Sequence, residues 1–271
     1  MSIRSLIALG CALAAPAALA SNDWSFKNVS VNWLDWSNGT EDRTNAGAFG
    51  GKKDFAYLEL EGGFGGSWGE AYGFFDIENP GMGSTEADSR DQRRYAAKAV
   101  ARFNLGDVSG MPVQLYTHLY DARDHHNFFD QNRVLGLGTS WSNGNFWIKP
   151  FIGAHQELKS GVGAHFNGWM AGYVAGYSFT AFGQSFMATQ WHETEFARKD
   201  RFLAMGDPYS IAQDKSDRVT QGKKTGQNGA VALWWNVNKA LTTGVQYRYA
   251  DDKLGSATQQ NAMIYSVKYN F

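Results

Sequence analysis

Cysteine is almost absent from the 271-residue chain, Cys11 being the only one. It falls within the first twenty residues, which read as a leader, so the mature chain carries no disulfide, no thiolate metal site and no cysteine nucleophile. A formal net charge of −1 gives no reason to expect a nucleic-acid partner. After residue 21 no window offers the ~18 apolar residues of a spanning helix, and none carries a 3.6-residue apolar stripe. Repeats and low-complexity linkers are also missing, which points to a single domain over 21–271.

The leader itself is legible. Met1, Ser2, Ile3 and Arg4 make a short positive start, followed by the run "SLIALGCALAAPAALA". Ala18, Leu19 and Ala20 form an A-x-A cleavage site, so residues 1–20 are expected to be a cleaved signal peptide. A lipoprotein signal around Cys11 fits less well, because cleavage there would leave only a stub of apolar core.

What is abundant is aromatic residues, 15% with ten Trp, and glycine, with 31 residues against five prolines. That mixture suits short twisted strands and tight turns better than helices. Period two recurs: in "KNVSVNWLDW" Val29, Val31 and Trp33 alternate with Asn28, Ser30 and Asn32, and in "FAYLELEGGF" Leu58 and Leu60 alternate with Glu59 and Glu61. The same test predicts strands near 24–36, 54–64, 68–77, 94–105, 112–121, 133–142, 145–156, 166–179, 184–196, 227–238, 241–251 and 261–271. Each is near the ~9–11 residues a tilted transmembrane strand needs.

The connections alternate: long at 37–53, 78–93, 122–132, 157–165, 197–226 and 252–260, short at the five between. Short periplasmic turns and long external loops produce this rhythm in an antiparallel up-and-down outer-membrane barrel of about twelve strands, whereas a soluble sandwich has no reason to. The closing "AMIYSVKYNF" places Met263, Tyr265, Val267, Tyr269 and Phe271 on one face and Ser266, Lys268 and Asn270 on the other. A last amphipathic strand ending in Phe resembles the signal read by the barrel-assembly machinery, which makes Tyr265, Val267, Tyr269 and Phe271 the expected assembly residues. The expected location is the outer membrane of a Gram-negative bacterium.

If apolar faces meet lipid, polar faces line the lumen. Strand parity then turns Glu59, Glu61, Glu70, Tyr72, Phe74 and Asp76 inward, next to Lys98, Arg102 and Asn104. Further round come Gln114, Tyr116, His118, Tyr120, Trp147, Lys149, Phe151, His155, Trp234, Gln246 and Arg248. An acidic wall beside a basic one makes a transverse field that orients dipolar solutes. The competing reading is a salt-bridged plug that only fills space, leaving a surface receptor or structural barrel. Trp33, Phe103, Trp141, Trp169, Tyr173, Tyr177, Trp235, Tyr247 and Tyr265 fit lipid-facing girdles.

Catalytic and metal signatures are weak. His125 and His126 sit with acidic residues on a long loop, without a ligand spacing that fixes them on one element. "HETE" at 192–195 is followed by Phe196, so it is not H-E-x-x-H. No G-x-S-x-G occurs, and His118 and His155 are expected to point inward, away from where an outer-membrane lipase would need them. No cofactor and no enzyme activity are expected.

With the strands placed, "DFAYLELEGGFGG" and "AYGFFDIEN" at 54–79, "NRVLGLGTSW" at 132–141, "HFNGWMAGY" at 165–173 and the closing "YSVKYNF" resemble the nucleoside-specific channel-forming family, Tsx, and its OmpK-type relatives. The resemblance implies a monomeric twelve-stranded barrel with a narrow lumen that passes nucleosides by weak binding at aromatic and ionisable residues. Phages, and for some members a colicin, would use its external loops. It implies Glu59, Glu61, Tyr72, Phe74 and Asp76 as lumen residues; Lys98, Arg102, Tyr116 and Trp147 rest on strand parity alone.

Overall fold

The computed structural model describes residues 23–44, 51–83, 92–124, 128–203, 222–254 and 256–271. The leader at 1–20 and the His125–His126 pair lie outside them. Thirteen strands form one antiparallel sheet: β1 (Trp24–Trp36), β2 (Phe55–Gly66), β3 (Gly69–Glu78), β4 (Arg94–Val108), β5 (Met111–Arg123), β6 (Phe129–Gly138), β7 (Trp141–Asn143), β8 (Phe146–Lys159), β9 (Gly163–Ala181), β10 (Gln184–Phe196), β11 (Gly226–Asn236), β12 (Leu241–Lys253) and β13 (Ser256–Asn270). A short helix, α1 (Asn38–Thr44), follows β1.

Each strand except β6 with β7 pairs with its neighbour in sequence, β1 pairs with β13, and β6 pairs with β8, which closes the sheet into a ring. β7 continues the position of β6 along β8, so the wall has twelve strand positions. Closure leaves, among the described residues, only the three-residue β7 paired on one side alone, so little edge is open to pairing with another chain.

The interruption between β6 and β7 has a local cause. In an antiparallel ladder one residue's N–H and C=O point to the same neighbour. Pro150 of β8 accepts from the Thr139 N–H at 3.2 Å but has no N–H to return. Arg102, from β4, supplies the missing donors: Nη1 reaches the carbonyls of Thr139 at 3.3 Å and Pro150 at 3.1 Å, and Nη2 reaches that of Lys149 at 2.8 Å. Gly138 makes room, since a Cβ there would lie 2.7 Å from Arg102 Nη1.

The faces sort as the alternation requires. Asn28, Ser30 and Asn32 are buried inside the ring, while Val29, Val31 and Trp33 are exposed on its outside. Leu60, Leu135, Ile152, Val231 and Val245 continue the outer apolar band, and Tyr265, Val267, Tyr269 and Phe271 lie on it. An outside this apolar is expected of a surface that meets lipid.

Three outer connections are shorter than the sequence suggests. β5 and β6 are joined across 124–128, β8 and β9 across 160–162, and β12 and β13 across 254–255. The strands run on past the apolar band, where the outward side chains become polar: Arg133 Nε donates to Gln131 at 2.6 Å and Nη1 to Gln156 at 3.1 Å. With both faces polar the period-two signal ends although the ladder continues. The turns at the opposite end are tight, and Gly110 and Gly183 take positive φ there, a region open to glycine at little cost.

Candidate functional site: a charged lumen lined with aromatic rings

The inward face carries rings laid flat on neighbouring backbone. Inward glycines make this geometry possible, because a side chain in their place would collide with the ring. A Cβ at Gly65 would lie 2.7 Å from Trp24, at Gly63 2.9 Å from Phe26, at Gly176 2.6 Å from Trp147 and at Gly172 2.9 Å from Phe151. Trp24 and Phe26 are stacked with centroids 6.3 Å apart, and Phe26 leads on to Tyr72 at 6.3 Å and Tyr72 to Phe74 at 6.5 Å. The result is a column of rings up one side of the lumen from the end that holds Trp24 and Phe271.

The charges close on one another instead of standing as open walls. Lys268 Nζ pairs with Glu61 at 2.8 Å and approaches Glu59 at 3.8 Å. Glu61 also accepts from the Tyr72 hydroxyl at 2.8 Å and from Asn28 at 3.1 Å. Glu70 pairs with Lys149, and Arg102 lies 3.4 Å from it. Lys149 Nζ in turn sits between two indoles, 5.1 Å from Trp24 and 5.4 Å from Trp147.

The Lys98–Glu193 pair crosses the lumen, since β5, β6, β8 and β9 lie between β4 and β10 on one side of the ring. His118 Nδ1 is 3.8 Å from the same carboxylate. Near the outer end Glu195 pairs with Lys253 and lies 3.2 Å from Arg198, which holds Asp252 at 3.1 Å. A polar cavity of about 30 Å³ sits here among Asn132, Glu157, Glu195 and Arg198, enough for a water or two.

One flank of the lumen is filled. Tyr116 stacks on Phe151 with centroids 4.0 Å apart, and Val134 and Met170 complete a buried cluster. Tyr116, His118 and Arg102 are buried within this filled side at 2%, 2% and 3% exposure, so they pack and position. Glu59, Glu61, Glu70, Tyr72, Phe74, Asp76, Lys98, Trp147, Lys149 and Arg248 also turn inward, each half-buried. These thirteen side chains therefore share the inner face.

Several inner residues went unassigned by sequence. Trp191, Glu193 and Glu195 share the inner face of β10, yet the stretch "TQWHETEF" is polar on both faces and parity could not orient it. Trp24 and Phe26 share the parity of Asn28 and could have been found by extending the alternation downward. His155 points inward as expected and holds Asn132 at 2.7 Å. His192, in contrast, faces outward, with Nε2 2.8 Å from the Thr194 hydroxyl and Nδ1 2.9 Å from that of Tyr249.

Among solved structures, the barrel is similar to outer membrane phospholipase A from Escherichia coli, at 9% identity over 92% of this chain and 98% of that one, with a TM-score of 0.47. It is also similar to the KdgM porin in complex with disordered oligogalacturonate, at 10% identity over 92% and 99%, TM-score 0.44. The outer membrane channel DcaP of Acinetobacter baumannii matches at 12% identity over 92% and 96%, TM-score 0.38. At these values none bears on what passes through this barrel. The family described as nucleoside-specific channel-forming protein, Tsx, matches residues 31–271; the chain belongs to that family and is an outer-membrane β-barrel channel protein.

Proposed function

We propose that the barrel is a passive channel for nucleosides and similar flat, polar, ring-bearing solutes. The observation that carries this is the column from Trp24 through Phe26 and Tyr72 to Phe74, running beside paired carboxylates and cations. Rings offer stacking for a base, and the charged groups offer hydrogen bonds that replace its hydration. Glu59, Glu61, Glu70, Tyr72, Phe74, Asp76, Lys98, Trp147, Lys149 and Arg248 are the proposed solute-facing residues, with Tyr116, His118 and Arg102 supporting them from the filled flank. Binding is weak at each step, because conduction needs release as much as entry.

The channel works as a monomer in the outer membrane of a Gram-negative bacterium, inserted by the barrel-assembly machinery through Tyr265, Val267, Tyr269 and Phe271. Its external loops serve as a phage receptor. No cofactor and no covalent step are part of the reading. The outward His192, Thr194 and Tyr249 chain does not argue for an enzyme, since β10 is paired on both sides along this stretch and leaves no backbone N–H to hold an oxyanion.

A second reading is favoured by the Lys98–Glu193 pair and the filled flank: a plugged barrel that acts only as a surface receptor. Uptake of labelled uridine into liposomes containing the pure protein separates the two. Uptake well above empty vesicles is expected, and uptake at the empty-vesicle level would leave the plugged barrel standing.

A further inference from the structure

Lumen carboxylates and cations are paired almost throughout, and two side chains break the pattern. Asp76 of β3 forms no ion pair among the described residues. It hydrogen-bonds its register neighbour Glu59 and buries Oδ1 without a partner. Arg248 of β12 forms no ion pair among them either. Its guanidinium rests over the Trp191 ring at 5.6 Å, and its Nε is buried without a partner. β2, β1 and β13 separate the two strands, so the acceptor and the donor enter the lumen from either end of one arc.

Leaving a buried donor and a buried acceptor unmatched is unfavourable, and the neighbouring carboxylates do not share the arrangement: Glu61, Glu70 and Glu193 each hold a lysine. We propose that Asp76 and Arg248 form the station that holds the transiting solute. This rests on the channel reading above and names the chemistry that reading leaves open. Asp76 Oδ1 accepts from a hydroxyl or amino group of the solute. The guanidinium donates to a carbonyl or ring nitrogen, and Trp191 lies beside the ring.

The solute class follows from the two groups. An uncharged ring bearing both donors and acceptors satisfies both ends. A purely apolar ring satisfies neither. An anion meets Arg248 but is repelled by the Glu59–Asp76 pair, whose hydrogen bond needs one proton and leaves one negative charge, so a nucleoside 5′-monophosphate is held less well than its nucleoside.

The test is planar-bilayer conductance with uridine and adenosine titrated as blockers, on the parent, Asp76→Ala, Arg248→Met and, as a control on the lipid-facing side, Arg133→Gln. Expected is at least a tenfold weaker block in each of the two lumen variants and an unchanged block in Arg133→Gln. Heat-shifted mobility on gels checks that each barrel forms, and Asp76→Asn and Arg248→Lys take the place of any variant that does not. Block equal to the parent in both lumen variants would overturn the station while the channel reading stands. Absence of block in the parent would remove both.

Discussion

Lys98 of β4 and Glu193 of β10 form an ion pair that spans the lumen, with the Lys98 ammonium also 5.7 Å from the Trp191 ring. Their strands are almost opposite in the ring, so the pair acts as a crossbar in the path of any solute. Taking one partner away leaves the other charge largely desolvated and unmatched. Lys98→Met should therefore shift the channel towards cations and Glu193→Gln towards anions. Reversal potentials in a KCl gradient report the sign; identical potentials in the two variants would mean that neither charge faces the ion path.

Arg102 is expected to be a stability residue first. It donates to three carbonyls where the ladder between β6, β7 and β8 is interrupted. Lysine has one compact ammonium and cannot reach all three in a plane. Arg102→Ala should cost on the order of 3 kcal/mol, with Arg102→Lys recovering only part of it. Unfolding followed by heat-shifted mobility measures this, and an unchanged transition in Arg102→Ala would show that the carbonyls find other donors.

Gly176 lies under the Trp147 indole, where a Cβ would fall 2.6 Å from the ring. The atoms it would meet belong to a side chain, so Gly176→Ala should move the ring into the lumen and leave the wall intact. A fall in single-channel conductance, together with a change in tryptophan emission, is the expected outcome. Equal conductance would place the ring outside the conducting path.

Lys52 sits outside the wall strands, between α1 and β2. Its Nζ donates to the Leu254 carbonyl at 2.7 Å and lies 5.3 Å from the Trp36 ring. Burial, helped by the charge of Arg94, holds its amine down to about 8 against an ordinary 10.5. Between those values the unfolded chain binds more protons than the folded one, so the stability contributed by Lys52 rises with pH across that window and is flat below it. The thermal stability of the parent relative to Lys52→Met should therefore increase from pH 7 to pH 10. A constant difference would mean that Lys52 titrates as an ordinary lysine.

Much of the wall was legible because one face of most strands is plainly apolar. Parity alone placed Glu59, Glu61, Glu70 and Asp76 on one face, and in the structure Glu59 and Glu61 meet Lys268 and Glu70 meets Lys149 on that face. Where both faces are polar the same rule had nothing to grip, which is why Glu193 and Glu195 were unassigned and why the outer ends of β6, β8 and β13 ran longer than expected. Pairings across the lumen, such as Lys98 with Glu193 or Lys149 with Glu70, depend on how the ring closes and are not encoded in any single strand. The effect of Pro150 on β6 and the response of Arg102 became visible only with three strands placed side by side.

The rings resting on Gly63, Gly65, Gly172 and Gly176 mean that the bore of this barrel is not set by strand number alone. Each pair is a local shim: one methyl group beneath an indole or a phenyl narrows the passage, and one ring exchanged for a smaller side chain widens it. At Gly65 and Gly176, where a Cβ would meet ring atoms alone, neither change disturbs the hydrogen-bonded frame, whereas at Gly172 a methyl would also lie 2.3 Å from the His192 carbonyl. A lineage of such barrels could recalibrate what it admits one residue at a time, at constant circumference.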